Sequence, residues 1–210
     1  MSAKHKNTGV DLQRRKILTG VTGVVGAVGA TFAAVPFVSS WQPSEKAKAA
    51  GAPVDVDISK LQPGQMLTVA WRGKPVWVVR RTKDMLGKLA SFDKQLRDPA
   101  SNESLQPDYC KNESRAVNDE YFVVVGICTH LGCAPLYRPA IGSPDVGADW
   151  EGGFFCPCHG SRFDLAGRVF QSVPAPTNLE VPPHYFKTAT AILIGEDPQE
   201  PKEQEEGGVA

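Results

Sequence analysis

Two short stretches hold most of the cysteine and histidine of this sequence: "CTHLGC" at 128–133 and "CPCHGS" at 156–161. The chain has five cysteines and four histidines, and four of the cysteines and two of the histidines fall in these stretches. Each stretch pairs a cysteine with a histidine two or three positions later, a spacing that lets one tight turn supply two metal ligands. Each stretch also has one cysteine to spare. The candidate ligands are Cys128, His130, Cys156 and His159.

Two simpler hypotheses compete for the same residues. Four cysteines in an exported domain could form two disulfides with the histidines incidental, but the Cys–His pairing in both stretches argues against this. A tetrahedral Cys₂His₂ zinc site is compatible with both spacings. Zinc alone, however, gives no role to the spare cysteines, Cys133 and Cys158.

The rest of the chain has the composition of a strand-rich globular domain. Its 210 residues are 41% hydrophobic, and 17 prolines and 20 glycines favour short strands joined by turns. The formal net charge is +0 at pH 7, so no overall field favours nucleic acid as a partner. The runs typical of strands lie at 54–58, 66–71, 75–80, 121–126 and 190–195.

A single helix is predicted in the middle of this domain. Met85, Leu89, Phe92 and Leu96 recur at i, i+4, i+7 and i+11, the spacing of one helical face. The helix lies within an inserted region at 82–118 whose second half is polar and predicts a surface loop. The odd cysteine, Cys110, lies in that loop and is predicted to be a free or structural thiol.

The N-terminal region predicts a membrane anchor over 16–40. Residues 17–38 form an uncharged run of twenty-two residues, long enough to span about 30 Å of hydrocarbon. A buried soluble helix and a cleaved secretory signal are the alternatives, and the small-residue pattern at 47–49 fits a cleavage site. The length of the run favours an uncleaved anchor, since the apolar part of a cleaved signal is usually about 7–15 residues.

Charge predicts how this anchor is oriented. Basic residues in the segment 1–15 place that end in the cytoplasm and the main domain across a bacterial inner membrane, in the periplasm. Arg14 and Arg15 resemble a twin-arginine export signal, which carries folded proteins. Composition leaves open whether the following segment is a helix or a flexible tether. The predicted domains beyond the anchor are a tether at 41–53, the strand-rich domain at 54–195 and an acidic disordered tail at 196–210.

The two cysteine–histidine stretches resemble those of the Rieske iron–sulfur proteins. In that family two cysteines hold one iron of a 2Fe–2S cluster and two histidines hold the other. The resemblance includes both six-residue stretches, the anchor, the tether and "VPAP" at 173–176. Soluble oxygenase components typically lack the second cysteines and the anchor, so the chain looks like the Rieske subunit of a bacterial cytochrome bc complex.

The resemblance implies an all-β fold, an antiparallel sandwich whose cluster-binding tip is formed by two loops. It implies one Rieske 2Fe–2S cluster with Cys128 and Cys156 on the inner iron and His130 and His159 on the outer, exposed iron. Further implied roles are a disulfide between Cys133 and Cys158, a hydrogen bond from Ser161 to a cluster sulfur, and quinol docking at His159 and Leu131.

The implied function is that of the catalytic electron-transfer subunit of a ubiquinol–cytochrome c reductase in a respiratory chain. The implied partners are ubiquinol, a cytochrome b subunit and a c-type cytochrome subunit in a dimeric complex, with the tether allowing the domain to move between them. A Rieske subunit of another periplasmic oxidoreductase, such as arsenite oxidase, is the main alternative. A membrane-anchored zinc module without redox activity is the third.

The chain departs from the family pattern at three places. Phe163 replaces the tyrosine whose hydroxyl donates to a cysteine sulfur in high-potential relatives, which predicts a lower reduction potential here. Val173 stands where the proline loop usually begins with glycine, so the path of that loop is in question. The spacer 134–155 is longer than in mitochondrial relatives and is predicted to be a surface excursion.

Overall fold

The computed structural model describes residue 9 and residues 11–198 of the 210-residue chain. Most of the predicted acidic tail, 199–210, lies outside the described residues. The chain divides between residues 48 and 49 into two compact units.

The first unit is dominated by a 28-residue helix, α1 (Leu12–Ser39). Its N-cap is Asp11, whose Oδ1 accepts hydrogen bonds from the backbone N–H groups of Gln13 and Arg14 at 3.0 and 3.1 Å. Among the described residues it is the one helix long and apolar enough to cross a membrane, and none of its residues is buried. The helix begins before the predicted anchor, so Arg14 and Arg15 belong to its first turn rather than to a separate segment.

A short helix, α2 (Glu45–Ala50), follows within the predicted tether. Ser44 Oγ accepts a hydrogen bond from the backbone N–H of Ala47 at 3.2 Å, and Lys48 Nζ lies 2.8 Å from Glu45 Oε1. The sequence left open whether this segment is a helix or a flexible chain. The structure has one short helix here, with irregular chain on either side.

The second unit is all-β, as predicted. In the part of the chain that the structure describes, its strands form three antiparallel sheets of three strands each, in the orders β1-β9-β8, β2-β3-β4 and β5-β6-β7. The strands are β1 (Val54–Asp57), β2 (Met66–Trp71), β3 (Lys74–Arg80), β4 (Tyr121–Val125), β5 (Leu136–Arg138), β6 (Gly153–Cys156), β7 (Ser161–Phe163), β8 (His184–Thr188) and β9 (Ala191–Ile194).

The second sheet lies between the other two, and this position explains its sequence. Along β3, Val76 and Val78 pack into one apolar cluster with β1 and β9, whereas Trp77 and Val79 pack into another with β6 and β7. Strand β4 is buried at all five positions. A strand covered on both faces is apolar throughout rather than alternating, which is the pattern of "YFVVV".

The predicted helix through Met85 and Leu96 is wrong as a single element. The structure has a five-residue helix, α3 (Lys83–Gly87), followed by a 3₁₀ segment at Leu89–Gln95. Leu89 and Phe92 are both buried, as the apolar spacing required. Leu96, however, is extended and forms an antiparallel bridge with Phe170. The helical conformation therefore ends before Leu96.

Buried arginines fasten the 82–118 region to the chain that follows β7. Arg115 Nη2 donates to the carbonyl of Leu179 at 2.7 Å, and Arg168 Nη2 donates to the carbonyl of Leu89 at 2.7 Å. Arg168 Nε also pairs with the buried carboxylate of Asp164 at 2.8 Å. Burial lowers the pKa of Arg115 to about 10, so its guanidinium stays charged at neutral pH.

Cys110 lies in the apolar core and forms no disulfide. Burial raises the pKa of its thiol to about 11, which makes it a poor nucleophile and metal ligand. Its position agrees with the prediction of a free thiol.

Candidate metal centre

The two cysteine–histidine stretches form loops with the same turn. The first loop, 126–135, joins β4 to β5, and the second, 157–160, joins β6 to β7. The Cys128 carbonyl accepts from the N–H of Gly132 at 3.0 Å, and the Cys156 carbonyl accepts from the N–H of Gly160 at 2.9 Å. Both glycines are left-handed, with φ of 82° and 77°. Such a φ strains any residue that carries a Cβ, so the motif needs glycine at both turns.

The root of the first loop is packed tightly against the core. A Cβ added to Gly126 would overlap the indole of Trp77, so only glycine fits there. The Trp77 ring stacks on Phe154 of β6 with centroids 5.4 Å apart. Trp77 therefore contacts both the start of the first loop, at Gly126, and the strand that leads into the second loop, β6.

A disulfide joins the two loops at Cys133 and Cys158, the pair that the resemblance implied. Cys128 and Cys156 are the remaining loop cysteines, and both are buried and unbridged. The Cys156 sulfur lies within 4.8 Å of both disulfide sulfurs. The four cysteines therefore divide into two free thiols and one cross-link, which excludes the hypothesis of two disulfides in this structure.

The two histidine rings contact each other and are more exposed than the two free thiols. The ring centroids of His130 and His159 are 4.8 Å apart and the rings are nearly perpendicular, at 86°. His130 is half-buried and His159 is exposed. Leu131, which follows His130 in the first loop, is 71% exposed. The site therefore has sulfur donors inside and nitrogen donors at the surface.

The surroundings of Cys128 act on its thiol in opposite directions, and their net effect raises its pKa. Burial raises the pKa of its thiol, and the adjacent Cys156 acts in the same direction, whereas hydrogen bonds from the backbone N–H of His130 and the hydroxyl of Ser161 lower the pKa. Two neighbouring thiolates without water need positive charge between them. The donor set thus fits a cluster with two irons, one held by sulfur and one by imidazole.

Ser161 is fully buried and its orientation is fixed by the proline loop at 172–177. Ser161 Oγ accepts a hydrogen bond from the backbone N–H of Ala175 at 3.1 Å, which leaves its proton free to point at sulfur. Thr129 Oγ1 donates to the carbonyl of Thr177 at 2.7 Å. The proline loop therefore holds one residue of each cysteine–histidine stretch. The sequence reading missed Thr129, although a hydroxyl between two ligand positions was a visible signal.

The structure answers the question that Val173 raised about this loop. The left-handed residue is Ser172, with φ of 59°, while Val173 has no such constraint. The Val173 side chain is half-buried and packs on the apolar cluster that includes Cys128 and Cys156. A side chain is thus accommodated at 173 because the turn is made one residue earlier.

Phe163 and the 134–155 spacer also lie beside the site. Phe163 is fully buried in the same apolar cluster as the two free thiols, and its ring offers no hydrogen-bond donor. The spacer is a folded excursion: Trp150 Nε1 donates to the carbonyl of Arg138 at 2.8 Å, and Arg138 Nε lies 2.8 Å from Asp145 Oδ2. The predicted excursion is therefore confined to 139–152, because β5 and β6 occupy the two ends of the spacer.

The chain matches known families over most of its length. Residues 4–44 match the family described as "Ubiquitinol-cytochrome C reductase Fe-S subunit TAT signal", and residues 52–183 match the Rieske [2Fe-2S] domain. The first match includes the arginine pair of α1, and the second includes both loops.

Individual relatives agree with these matches. A ubiquinol-cytochrome c reductase iron-sulfur subunit of Allochromatium vinosum is 62% identical over 189 residues, 90% of this chain and 91% of the relative. The subunit of the same name from Bradyrhizobium diazoefficiens is 42% identical, over 76% of this chain and 81% of the relative. A chain of the solved structure "Hyperthermophilic respiratory Complex III" is 29% identical with a TM-score of 0.45, covering 84% of this chain and 98% of that chain.

Proposed function

Since this chain belongs to the Rieske iron–sulfur subunits of ubiquinol–cytochrome c reductase, we propose that it takes one electron and one proton from ubiquinol and passes the electron to a c-type cytochrome. The observation that supports this most directly is the combination of an exposed imidazole at His159 with two buried thiols in the loops that the disulfide joins. A neutral hydrogen donor such as a quinol can reach that imidazole, while the sulfur side is closed to water.

The proposed ligands are Cys128 and Cys156 for the inner iron and His130 and His159 for the outer iron. When bound, the cluster supplies a one-electron acceptor whose mixed ligands raise its potential to roughly −150 to +300 mV, against about −400 mV for plant-type all-cysteine clusters. The hydroxyl of Ser161 and the N–H of His130 stabilise negative charge on the Cys128 sulfur. Both donors therefore favour the reduced state.

His159 is the proposed contact for the substrate. An imidazole that gives one ring nitrogen to a metal keeps the other for a hydrogen bond or a proton. On His159 that nitrogen is available to the quinol hydroxyl because the side chain is exposed. The exposed side chain of Leu131 offers an apolar contact that excludes water from the docked quinol. Proton and electron thus leave the substrate at one edge of the protein.

The proposed assembly gives each of the two units of the chain a separate location. Helix α1 anchors the subunit as a single pass in a bacterial inner membrane, within a span proposed at 16–40. The N-terminal side, 1–15, faces the cytoplasm with the export signal at Arg14 and Arg15, and the Rieske domain, 54–195, lies in the periplasm. The proposed partners are a cytochrome b subunit and a c-type cytochrome subunit of a dimeric complex, between which the domain moves on the 41–53 tether.

Membranes that contain the complex provide the test. After ascorbate reduction we expect a Rieske-type EPR signal that inhibitors of the quinol site perturb, together with reduction of a c-type cytochrome by ubiquinol. The variant Leu131→Ala should keep the EPR signal and slow cytochrome reduction. Its matched control is Ile141→Ala, which removes an exposed apolar side chain (64% exposed) from the spacer and should change neither.

Two results would contradict the proposal. One is a normal EPR signal in membranes where ubiquinol fails to reduce any c-type cytochrome but another donor, such as arsenite, succeeds. The other is an equal effect of Leu131→Ala and Ile141→Ala on cytochrome reduction.

A further inference from the structure

A cleft of about 540 Å³ opens beside the second loop, next to the residue that follows His159. Its walls come from the 3₁₀ segment, from β7 and from the chain that leads into the proline loop. The lining residues include Lys94, Gln95, Gly160, Arg162, Gln171 and Ser172.

The walls of this cleft are held together by hydrogen bonds. The backbone N–H of Gln171 donates to the carbonyl of Gln95 at 2.8 Å, and Gln171 Nε2 donates to the carbonyl of Leu96 at 2.9 Å. The N–H of Phe170 donates to the carbonyl of Arg162 at 3.1 Å. The cleft is therefore formed before anything binds, so a ligand need not order it.

The charge of the cleft is positive. In the described part of the chain no carboxylate lines it, and Lys94 Nζ forms no ion pair. The carboxylate of Asp93, next in the chain, lies 3.0 Å from Arg168 instead. Arg162 is partly compensated by the exposed Asp149 at 3.2 Å. Among the lining residues, Lys94 is thus the cation without a carboxylate partner. Arg97, which donates to the carbonyls of Val173 and Pro176, adds a second charge nearby that is uncompensated within the described chain.

We propose that this cleft receives an acidic segment of the c-type cytochrome subunit, with a carboxylate facing Lys94. The inference rests on the proposed function, because it assigns a docking surface to the step in which the electron leaves. Gly160 belongs to both the cleft and the loop of His159, so a segment seated there holds its subunit against the exposed imidazole.

The two sides of the tip indicate which partner uses the cleft. The first loop presents Leu131, an exposed apolar side chain that suits the quinol site of a membrane subunit. The second loop is flanked by the cationic cleft, and opposite charges speed the encounter of electron-transfer partners and set their orientation. The cleft therefore suits the transient contact with the cytochrome.

The test uses the full-length chain in its membrane complex and measures the oxidation of the reduced cluster by the c-type cytochrome in a single turnover. Lys94→Glu should slow this step roughly three- to tenfold at low ionic strength, with the difference shrinking as salt screens the charges. The matched control is Lys60→Glu, an exposed lysine in the β1–β2 connection that changes the net charge equally. Lys94→Arg should retain the wild-type rate.

The possible outcomes distinguish a failure of this inference from a failure of the proposed function. If Lys94→Glu and Lys60→Glu behave alike while the wild-type complex reduces its cytochrome, the docking surface is wrong and the proposed function stands. If Lys94→Glu instead slows reduction of the cluster by ubiquinol, the cleft contacts cytochrome b and the inference is also overturned. If the wild-type complex reduces no c-type cytochrome, the proposed function itself fails. An unchanged EPR signal in each variant shows that the site is intact.

Discussion

The two loops of the metal centre have the same internal turn but are supported differently. The second loop, 157–160, closes a hairpin within one sheet, where Cys156 and Ser161 are paired neighbours on β6 and β7. The first loop, 126–135, crosses from the second sheet to the third, and the strands at its two ends, β4 and β5, do not pair with each other. Its position depends on contacts with other parts of the chain. Among these contacts are the disulfide to the second loop, the bond from Thr129 to Thr177 and the packing of Gly126 on Trp77.

This difference shows that residues with the same role in the two loops can be held in place by different kinds of contact. Cys156 is held by the local strand register, so its position follows from the hairpin itself. Cys128 is held by tertiary contacts, among them the Ser161 hydroxyl that donates to it. We therefore expect changes that remove tertiary contacts to loosen the first loop more than the second.

The largest effect is expected from removing the disulfide with the double variant Cys133→Ala, Cys158→Ala. A cross-link over a separation of 25 residues stabilises the fold by about 3.5 kcal/mol by the chain-entropy relation. We expect a loss of that order in the free energy of unfolding, measured by denaturant titration, and a loss of the EPR signal. Amide hydrogen exchange should rise more over 126–135 than over 157–160.

Cys110→Ala is the control for this change, because it removes a cysteine outside the two loops. It should cost stability through a small cavity but leave the exchange of both loops and the EPR signal unaltered. Equal acceleration of exchange in the two loops of the disulfide variant would show that the first loop does not depend more on the cross-link.

A smaller effect is expected from Gly132→Ala and Gly160→Ala, which probe the shared turn. A Cβ at either glycine meets nothing within 4 Å, so any cost comes from the left-handed backbone alone. That cost is about 1–2 kcal/mol for an ordinary residue. The first loop has freedom to adjust, so Gly132→Ala should lower the free energy of unfolding less than Gly160→Ala does.

Asparagine at the same two positions provides the control, since it tolerates the left-handed region better than alanine. Gly132→Asn and Gly160→Asn should each be more stable than the corresponding alanine variant. A larger loss for Gly132→Ala than for Gly160→Ala would reverse the proposed order of rigidity.

The sequence predicts the features of this protein that depend on residues close together in the chain, and misses those that depend on distant residues. Both ligand turns lie within six-residue stretches, so the sequence alone predicted the candidate ligands, and the apolar run at Ile17 predicted the span of α1. The three strands of the third sheet escaped detection because β5 and β7 are only three residues long and β6 runs into the motif. The straightening at Leu96 and the anchoring of Thr129 depend on residues more than forty positions away.

The least disruptive test adds a single oxygen, with Phe163→Tyr at the end of β7. The Phe163 ring is fully buried in the apolar cluster with Cys128 and Cys156, so a hydroxyl added there is expected to donate to sulfur. A donor stabilises the more negative, reduced state, and the reduction potential should therefore rise in a redox titration followed by EPR. The matched control is Phe186→Tyr on β8, which packs on the apolar cluster that contains neither thiol and should leave the potential unchanged. If the potential does not rise in Phe163→Tyr, or rises equally in both variants, the residue at position 163 does not cause a low potential. The hydrogen bonds from Ser161 and His130 would then be the main hydrogen-bond influence on the potential of the site.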